Sequence, residues 1–106
     1  MRGPDAAYVS FGHAATMPRR GPYFEGGPDL AVEVLSPGNT RQEIAAKVGE
    51  YLAAGAGAAW VVDPGRRTVT VHRPGRKPEI LRDADVLDGG TVLPGFRLPV
   101  AEILER

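Results

Sequence analysis

A glutamate inside an apolar run is the feature of this sequence with the clearest chemical meaning. Glu33 stands in the valine- and leucine-rich stretch 28–37, which predicts a strand buried on both faces. A carboxylate there is costly unless it is paired, protonated or bound to a cation. Lys47 follows fourteen residues later. A buried acid on a strand and a lysine on the next helix together could form a metal-dependent phosphodiesterase site.

A second carboxylate would have to come from another part of the chain. Asp29 and Glu33 share one face of the predicted strand, but four residues of strand separate them by about 13 Å. A small cation needs ligand oxygens about 2–2.5 Å away, so these two side chains cannot share one. Asp5 opens the preceding predicted strand and is the best-placed partner for Glu33. The other interpretation of Asp5 is a turn residue near a chain terminus.

Lys47 lies at the edge of a predicted apolar helix face. The apolar residues of that helix follow the spacing i, i+4, i+7 and i+8 from Ile44, and Lys47 is about 60° from Ile44 around the helix axis. Its ammonium could therefore reach the end of the Glu33 strand and orient a water nucleophile or stabilise charge on phosphorus. The competing interpretation is a side chain paired with Glu43 at i−4.

The elements around these residues predict an α/β fold, a mixed sheet with one main crossover helix. Thr40 and Glu43 have capping-box spacing, so the helix should begin there and end near Gly55. The strand, helix and strand order then suggests a right-handed parallel crossover. The predicted strands are residues 6–11, 30–35, 58–62, 68–72 and 79–81, with a loop over 12–27, a short helix over 100–105 and no assignment for 83–99.

Length and composition restrict the class of protein. The 106 residues suffice for a single domain, 1–106, and the formal net charge of zero gives no general sign of a polyanionic partner. There is no cysteine, no apolar run near 20 residues and no apolar signal-peptide core, so we expect a cytoplasmic protein without a membrane span. No phosphate-binding loop, nucleophile elbow or dinucleotide fingerprint is present, so no organic cofactor is expected.

Several motifs in order along the chain resemble those of one known family. The chain resembles the Uma2 family, restriction-endonuclease-like proteins that form a branch of the PD-(D/E)xK nuclease superfamily. The motifs are Pro4 to Ser10, Pro28 to Pro37, Lys47 with Tyr51 and Ala54-Gly55, Trp60 to Pro64, and Leu93-Pro94-Gly95-Phe96. The resemblance extends from Asp5 to about Leu104.

The resemblance implies an endonuclease fold and a metal site. By it, Asp5 and Glu33 are the acidic residues of the two signature strands, and with the backbone carbonyl of Val34 they would hold Mg²⁺ or Mn²⁺. The superfamily's usual lysine position is occupied by Leu35, and Lys47 on the helix would take its place. The implied reaction is metal-assisted hydrolysis of DNA phosphodiester bonds, which makes DNA the implied partner.

One departure from the family pattern gives a second hypothesis. Family members normally carry a helix and further sheet structure before the first signature strand, whereas this sequence begins four residues before Asp5. We therefore expect a fold truncated at its N-terminus, with an exposed sheet edge or apolar face that would favour a homodimer. The alternative function is a non-catalytic remnant or interaction domain in which the same carboxylates are only structural.

Overall fold

The computed structural model describes residues 6–8, 19–20, 23–24 and 29–104. The strands of this part are β1 Ala6–Tyr8, β2 Arg19–Arg20, β3 Tyr23–Phe24, β4 Leu30–Val34, β5 Ala58–Asp63, β6 Thr68–His72, β7 Glu79–Leu81, β8 Val86–Asp88 and β9 Arg97–Pro99, and the helices are α1 Arg41–Ala53 and α2 Val100–Leu104. Across these residues no helix has the length and apolar character needed to cross a membrane.

The main sheet is mixed, as the sequence predicted. Five strands pair in the order β1-β4-β5-β6-β7. The pair β4–β5 is parallel and is connected through α1, while β1–β4, β5–β6 and β6–β7 are antiparallel. The protein therefore has an α/β fold with one main crossover helix. Two further antiparallel pairs, β2–β3 and β8–β9, lie outside this sheet, and β2–β3 falls in the segment predicted as loop.

Helix α1 begins and ends where its sequence signals place the boundaries. Thr40 is the N-cap, and its hydroxyl accepts a hydrogen bond from the backbone N–H of Glu43 at 3.1 Å. Just before it, Asn39 accepts a hydrogen bond from the backbone N–H of Ser36, which closes the preceding turn. The helix stops before Gly55, whose φ of 104° favours glycine. These contacts fix the start of α1 at the end of β4.

The two faces of the sheet carry two separate cores. The face toward α1 packs Ala31, Ala56, Ala59 and Val61 against Val48 and Tyr51 of the helix. The opposite face is larger, and its buried residues are Leu30, Ala58, Trp60, Val62, Val69, Val71, Leu87, Val100 and Leu104. Because side chains alternate along a strand, Glu33 faces α1 together with Ala31. The predicted burial on both faces of β4 is incomplete: Leu30, Ala31 and Glu33 are buried, Val32 is half-buried, and the last residue, Val34, is exposed.

The segment without a sequence assignment, 83–99, closes the face opposite α1. It contains β8 and β9, and the ring of Phe96 packs against Trp60 with 5.5 Å between the ring centroids. Gly89 lies in this turn so close to the carbonyl oxygen of Leu93 that a Cβ atom would be 2.2 Å from it. Only glycine fits at such a distance, so the turn depends on this residue.

A bidentate ion pair joins the turn between β5 and β6 to the turn after β7. Arg67, after β5, donates from Nε and Nη2 to the carboxylate of Asp83, with the shortest distance 2.8 Å. Hydrogen bonding to the guanidinium holds the pKa of the Asp83 carboxyl below its usual range. Arg67 therefore belongs to a structural ion pair.

Candidate active site

Glu33 lies buried at the interface between the sheet and α1. It pairs with Val61 in the parallel ladder between β4 and β5, and only 4% of the residue is exposed. Its side chain points toward α1 like that of Ala31 two residues earlier, while Val32 between them packs against the opposite core. The strand thus places a carboxylate where an apolar residue would otherwise pack.

Two side chains of α1 contact the same oxygen of this carboxylate. The hydroxyl of Tyr51 donates a hydrogen bond to Glu33 Oε1 at 2.5 Å, and Lys47 Nζ lies 3.6 Å from that oxygen. Residues four apart in a helix lie on the same face, so Lys47 and Tyr51 approach Glu33 from one side. Capping at Thr40 fixes where the helix starts and therefore where both side chains point.

The charge of Glu33 is compensated by Lys47 rather than left alone in the core. A buried carboxylate without a partner would be strongly unfavourable, and the nearby ammonium together with the phenol hydroxyl removes most of that penalty. The side chain of Lys47 is 22% exposed, so it is only partly removed from water. Within residues 29–104, the ion pair of Lys47 is made with Glu33, not with Glu43 at i−4.

Tyr51 is the site residue that the sequence did not identify. The apolar spacing from Ile44 places Tyr51 on the buried face of the helix, and the residue is buried in the core beneath α1. A buried tyrosine usually needs a hydrogen-bond partner for its hydroxyl. That requirement, with the i+4 spacing from Lys47, was the available signal that Tyr51 belongs beside a polar group.

The two carboxylate oxygens of Glu33 have different hydrogen-bond and ion-pair partners. Among the described residues, no hydrogen bond or ion pair is made to Glu33 Oε2, while both recorded contacts go to Oε1. Every fully buried side-chain oxygen in this part of the chain has a partner. Oε2 is therefore not fully buried and keeps some contact with solvent.

The other acidic and carbonyl groups considered for the site are those of Asp5, Val34 and Asp29. Asp5 lies outside the described residues. The side chain of Val34 is exposed at the end of β4, and the metal-binding role of its carbonyl stays a prediction. The backbone carbonyl of Asp29 accepts a hydrogen bond from Gly57, at the opposite end of β4 from Glu33. Within the described ranges no group of three or more acidic, histidine or cysteine side chains could hold a metal ion.

An open groove lies along the other side of α1. Its volume is about 960 Å³, its floor includes Val61, Thr70 and His72, and Ile44 and Val48 of α1 form one wall. Neither Glu33 nor Lys47 lines it. The helix therefore separates two features of the same sheet face, the polar cluster around Glu33 and this largely apolar groove.

Comparison with known proteins places this architecture in a class. A solved structure described as "a putative nuclease belonging to DUF820", from Anabaena variabilis ATCC 29413, superimposes on 76% of this chain with a TM-score of 0.71 and 23% sequence identity. The two proteins share an α/β fold. The chain spans 46% of the length of that structure.

The family follows from the sequence match. The model of the Uma2 family, described as "Putative restriction endonuclease", matches residues 1–101. The chain therefore belongs to the Uma2 family, as the order of its motifs indicated. A search among curated proteins found no match.

Proposed function

We propose that this chain is a metal-dependent nuclease domain that hydrolyses DNA phosphodiester bonds. One observation carries the proposal: in a Uma2 chain, a buried strand glutamate lies 3.6 Å from the only lysine of the crossover helix. A purely apolar core would not need a carboxylate at this position, and burying one is costly unless a partner compensates its charge.

The pairing of β1 with β4 supports a role for Asp5. Ala6 pairs with Val32 in the antiparallel ladder. Asp5 precedes Ala6 and Glu33 follows Val32 in the sequence, so a ladder extended by one pair would make the two acids opposite neighbours. Opposite residues have Cβ atoms about 5 Å apart on one face of a sheet. Two carboxylates at that separation can share one cation, unlike Asp29 and Glu33.

The donor chemistry of the proposed site fits a hard divalent cation. Glu33 Oε2, the Asp5 carboxylate and the Val34 carbonyl are all oxygen donors, which Mg²⁺ and Mn²⁺ prefer. When bound, the cation would supply an activated water and stabilise negative charge on phosphorus. Lys47, close to Glu33 and in contact with solvent, would orient the attacking water or stabilise the developing phosphate charge.

A non-catalytic role is the competing function, and one observation favours it. Glu33 Oε1 already has a hydrogen bond and a cation beside it, which is how a purely structural buried carboxylate would be stabilised. On this hypothesis the cluster only fastens α1 to the sheet, and a well-folded preparation would not cleave DNA.

Cleavage of supercoiled plasmid DNA separates the two functions. With Mg²⁺ or Mn²⁺, the wild type is expected to nick the plasmid, chelation by EDTA to stop the reaction, and Lys47→Ala to slow it about 100-fold, the usual effect of removing one charge-stabilising group. Lys77→Ala is the matched control, because Lys77 is the other lysine of the chain and lies exposed in a turn. A cooperatively folded wild type that never nicks DNA would favour the non-catalytic role, as would equal cleavage by Lys47→Ala and the control.

A further inference from the structure

We propose that Tyr51 is a positioning residue that reserves one oxygen of Glu33 for the metal ion. The inference rests on the proposed function, since it assigns Oε2 of Glu33 as the metal-binding atom and Oε1 as the atom held by the protein. Tyr51 itself touches neither metal nor substrate in this scheme; it acts through Glu33.

The contacts of the carboxylate divide between its two oxygens. The Tyr51 hydroxyl and the Lys47 ammonium both approach Oε1, and no residue in the described part of the chain makes a hydrogen bond or an ion pair with Oε2. A hydrogen bond from a buried phenol fixes the rotation of the carboxylate, because turning it would break the bond. Oε2 is then held in one orientation with its lone pairs available.

Burial makes Tyr51 suited to this task. It is 2% exposed, fixed between α1 and the sheet by Val48 and Ala31 of the same core. A glutamate side chain has several rotatable bonds whose freedom must be lost before a metal can bind. A rigid neighbour that removes this freedom in advance strengthens metal binding, as partners of ligating carboxylates generally do.

Isothermal titration with Mn²⁺ tests the proposal on four versions of the full chain. The wild type is expected to bind, Glu33→Gln to lose binding, and Tyr51→Phe to bind about 10-fold more weakly, in line with the usual cost of losing such a partner. Val48→Ala is the matched control, because it removes buried packing from the same core as Tyr51 and changes no hydrogen-bonding group. Its Mn²⁺ affinity should equal that of the wild type despite its lower stability.

The outcomes separate the positioning role of Tyr51 from the existence of the metal site. Binding by Tyr51→Phe equal to the wild type, with binding lost in Glu33→Gln, would overturn the role of Tyr51 and leave the proposed metal site intact. Equal weakening in Tyr51→Phe and Val48→Ala would reduce Tyr51 to a packing residue and overturn its positioning role. Absence of Mn²⁺ binding by the wild type, or full binding by Glu33→Gln, would overturn the metal site and with it the inference.

A second measurement does not depend on the folding of Tyr51→Phe. The chain has three tyrosines, so the double variant Tyr8→Phe, Tyr23→Phe leaves Tyr51 alone. Mg²⁺ on Oε2 withdraws charge from the carboxylate and weakens the hydrogen bond at Oε1, so the tyrosine absorption band should shift to shorter wavelength as Mg²⁺ binds. A band unchanged while Mg²⁺ binding is detected by calorimetry would overturn the proposal.

Discussion

The carboxylate of Glu33 is buried in a small core, where two side chains of α1 compensate it. Its Oε1 receives both the Tyr51 hydroxyl and the Lys47 ammonium, and removing either partner would leave the charge less compensated. The side chains that make the site chemically distinctive are therefore also structural. This dual role is why a variant must be tested for folding before a loss of activity is assigned to chemistry.

His72 provides a prediction for the pH dependence of stability. It lies half-buried at the end of β6 on the floor of the groove, and burial lowers the pKa of its imidazole from 6.5 because the charged form loses hydration. Below pH 6.5 the unfolded chain therefore binds more protons at this residue than the folded chain does. The free energy of unfolding should fall as the pH drops through 6.5 to the folded pKa, and this contribution should then stay constant.

Urea denaturation at several pH values from about 7 to 5 measures this effect. The variant His72→Gln should lose less stability over this range than the wild type, because it cannot take up the proton. The same decrease in both proteins would show that His72 contributes nothing to the pH dependence.

The sequence predicted the pairing of charges at the site better than its hydrogen bonds. The spacing from Ile44 placed Lys47 at the edge of the apolar face, within reach of Glu33, and the two side chains are neighbours. The bond between Tyr51 and Glu33 joins residues eighteen apart, and it depends on how α1 settles on the sheet. Periodicity predicts which face of a helix is buried but not the atom that a buried hydroxyl meets.

At the scale of elements, helix α1 was the most predictable part because its signals are local. The capping residue, the apolar stripe and the terminal glycine all lie within one short stretch. The strands β8 and β9 escaped assignment for the opposite reason. Each has three residues, and their pairing, Leu87 with Leu98, joins positions separated by a turn that depends on Gly89.

The cap of α1 gives a prediction at this scale. Thr40→Ala removes the hydroxyl that accepts the Glu43 N–H, and such changes usually cost about 1 kcal/mol of unfolding free energy. Urea denaturation should show this loss in Thr40→Ala, while Thr40→Ser, which keeps the hydroxyl, should stay close to the wild type. Equal stability of the alanine and serine variants would mean that the cap does not hold the helix start.

For the whole molecule, α1 divides one sheet face into two regions. The cluster around Glu33 lies on one side of the helix and the groove over Val61 and His72 lies on the other. Neither Glu33 nor Lys47 lines the groove. Substitutions of residues that line the groove are therefore suitable controls for substitutions in the cluster around Glu33.

The solved structure that shares this fold is longer than this chain. The chain belongs to the Uma2 family over residues 1–101 and spans less than half of the solved nuclease-like structure that shares its fold. The expected homodimer stays a prediction. The activity of this chain is likewise a proposal, to be measured on the chain itself.

The most direct test of a metal site at Glu33 is a thermal melt with and without Mn²⁺. The wild type and Glu50→Gln, which changes an exposed glutamate of α1, should both melt at a higher temperature with Mn²⁺, because a ligand bound only to the folded state stabilises it. Glu33→Gln should melt cooperatively without that shift. An equal shift in Glu33→Gln, or no shift in a cooperatively melting wild type, would contradict a metal-dependent nuclease site at this carboxylate.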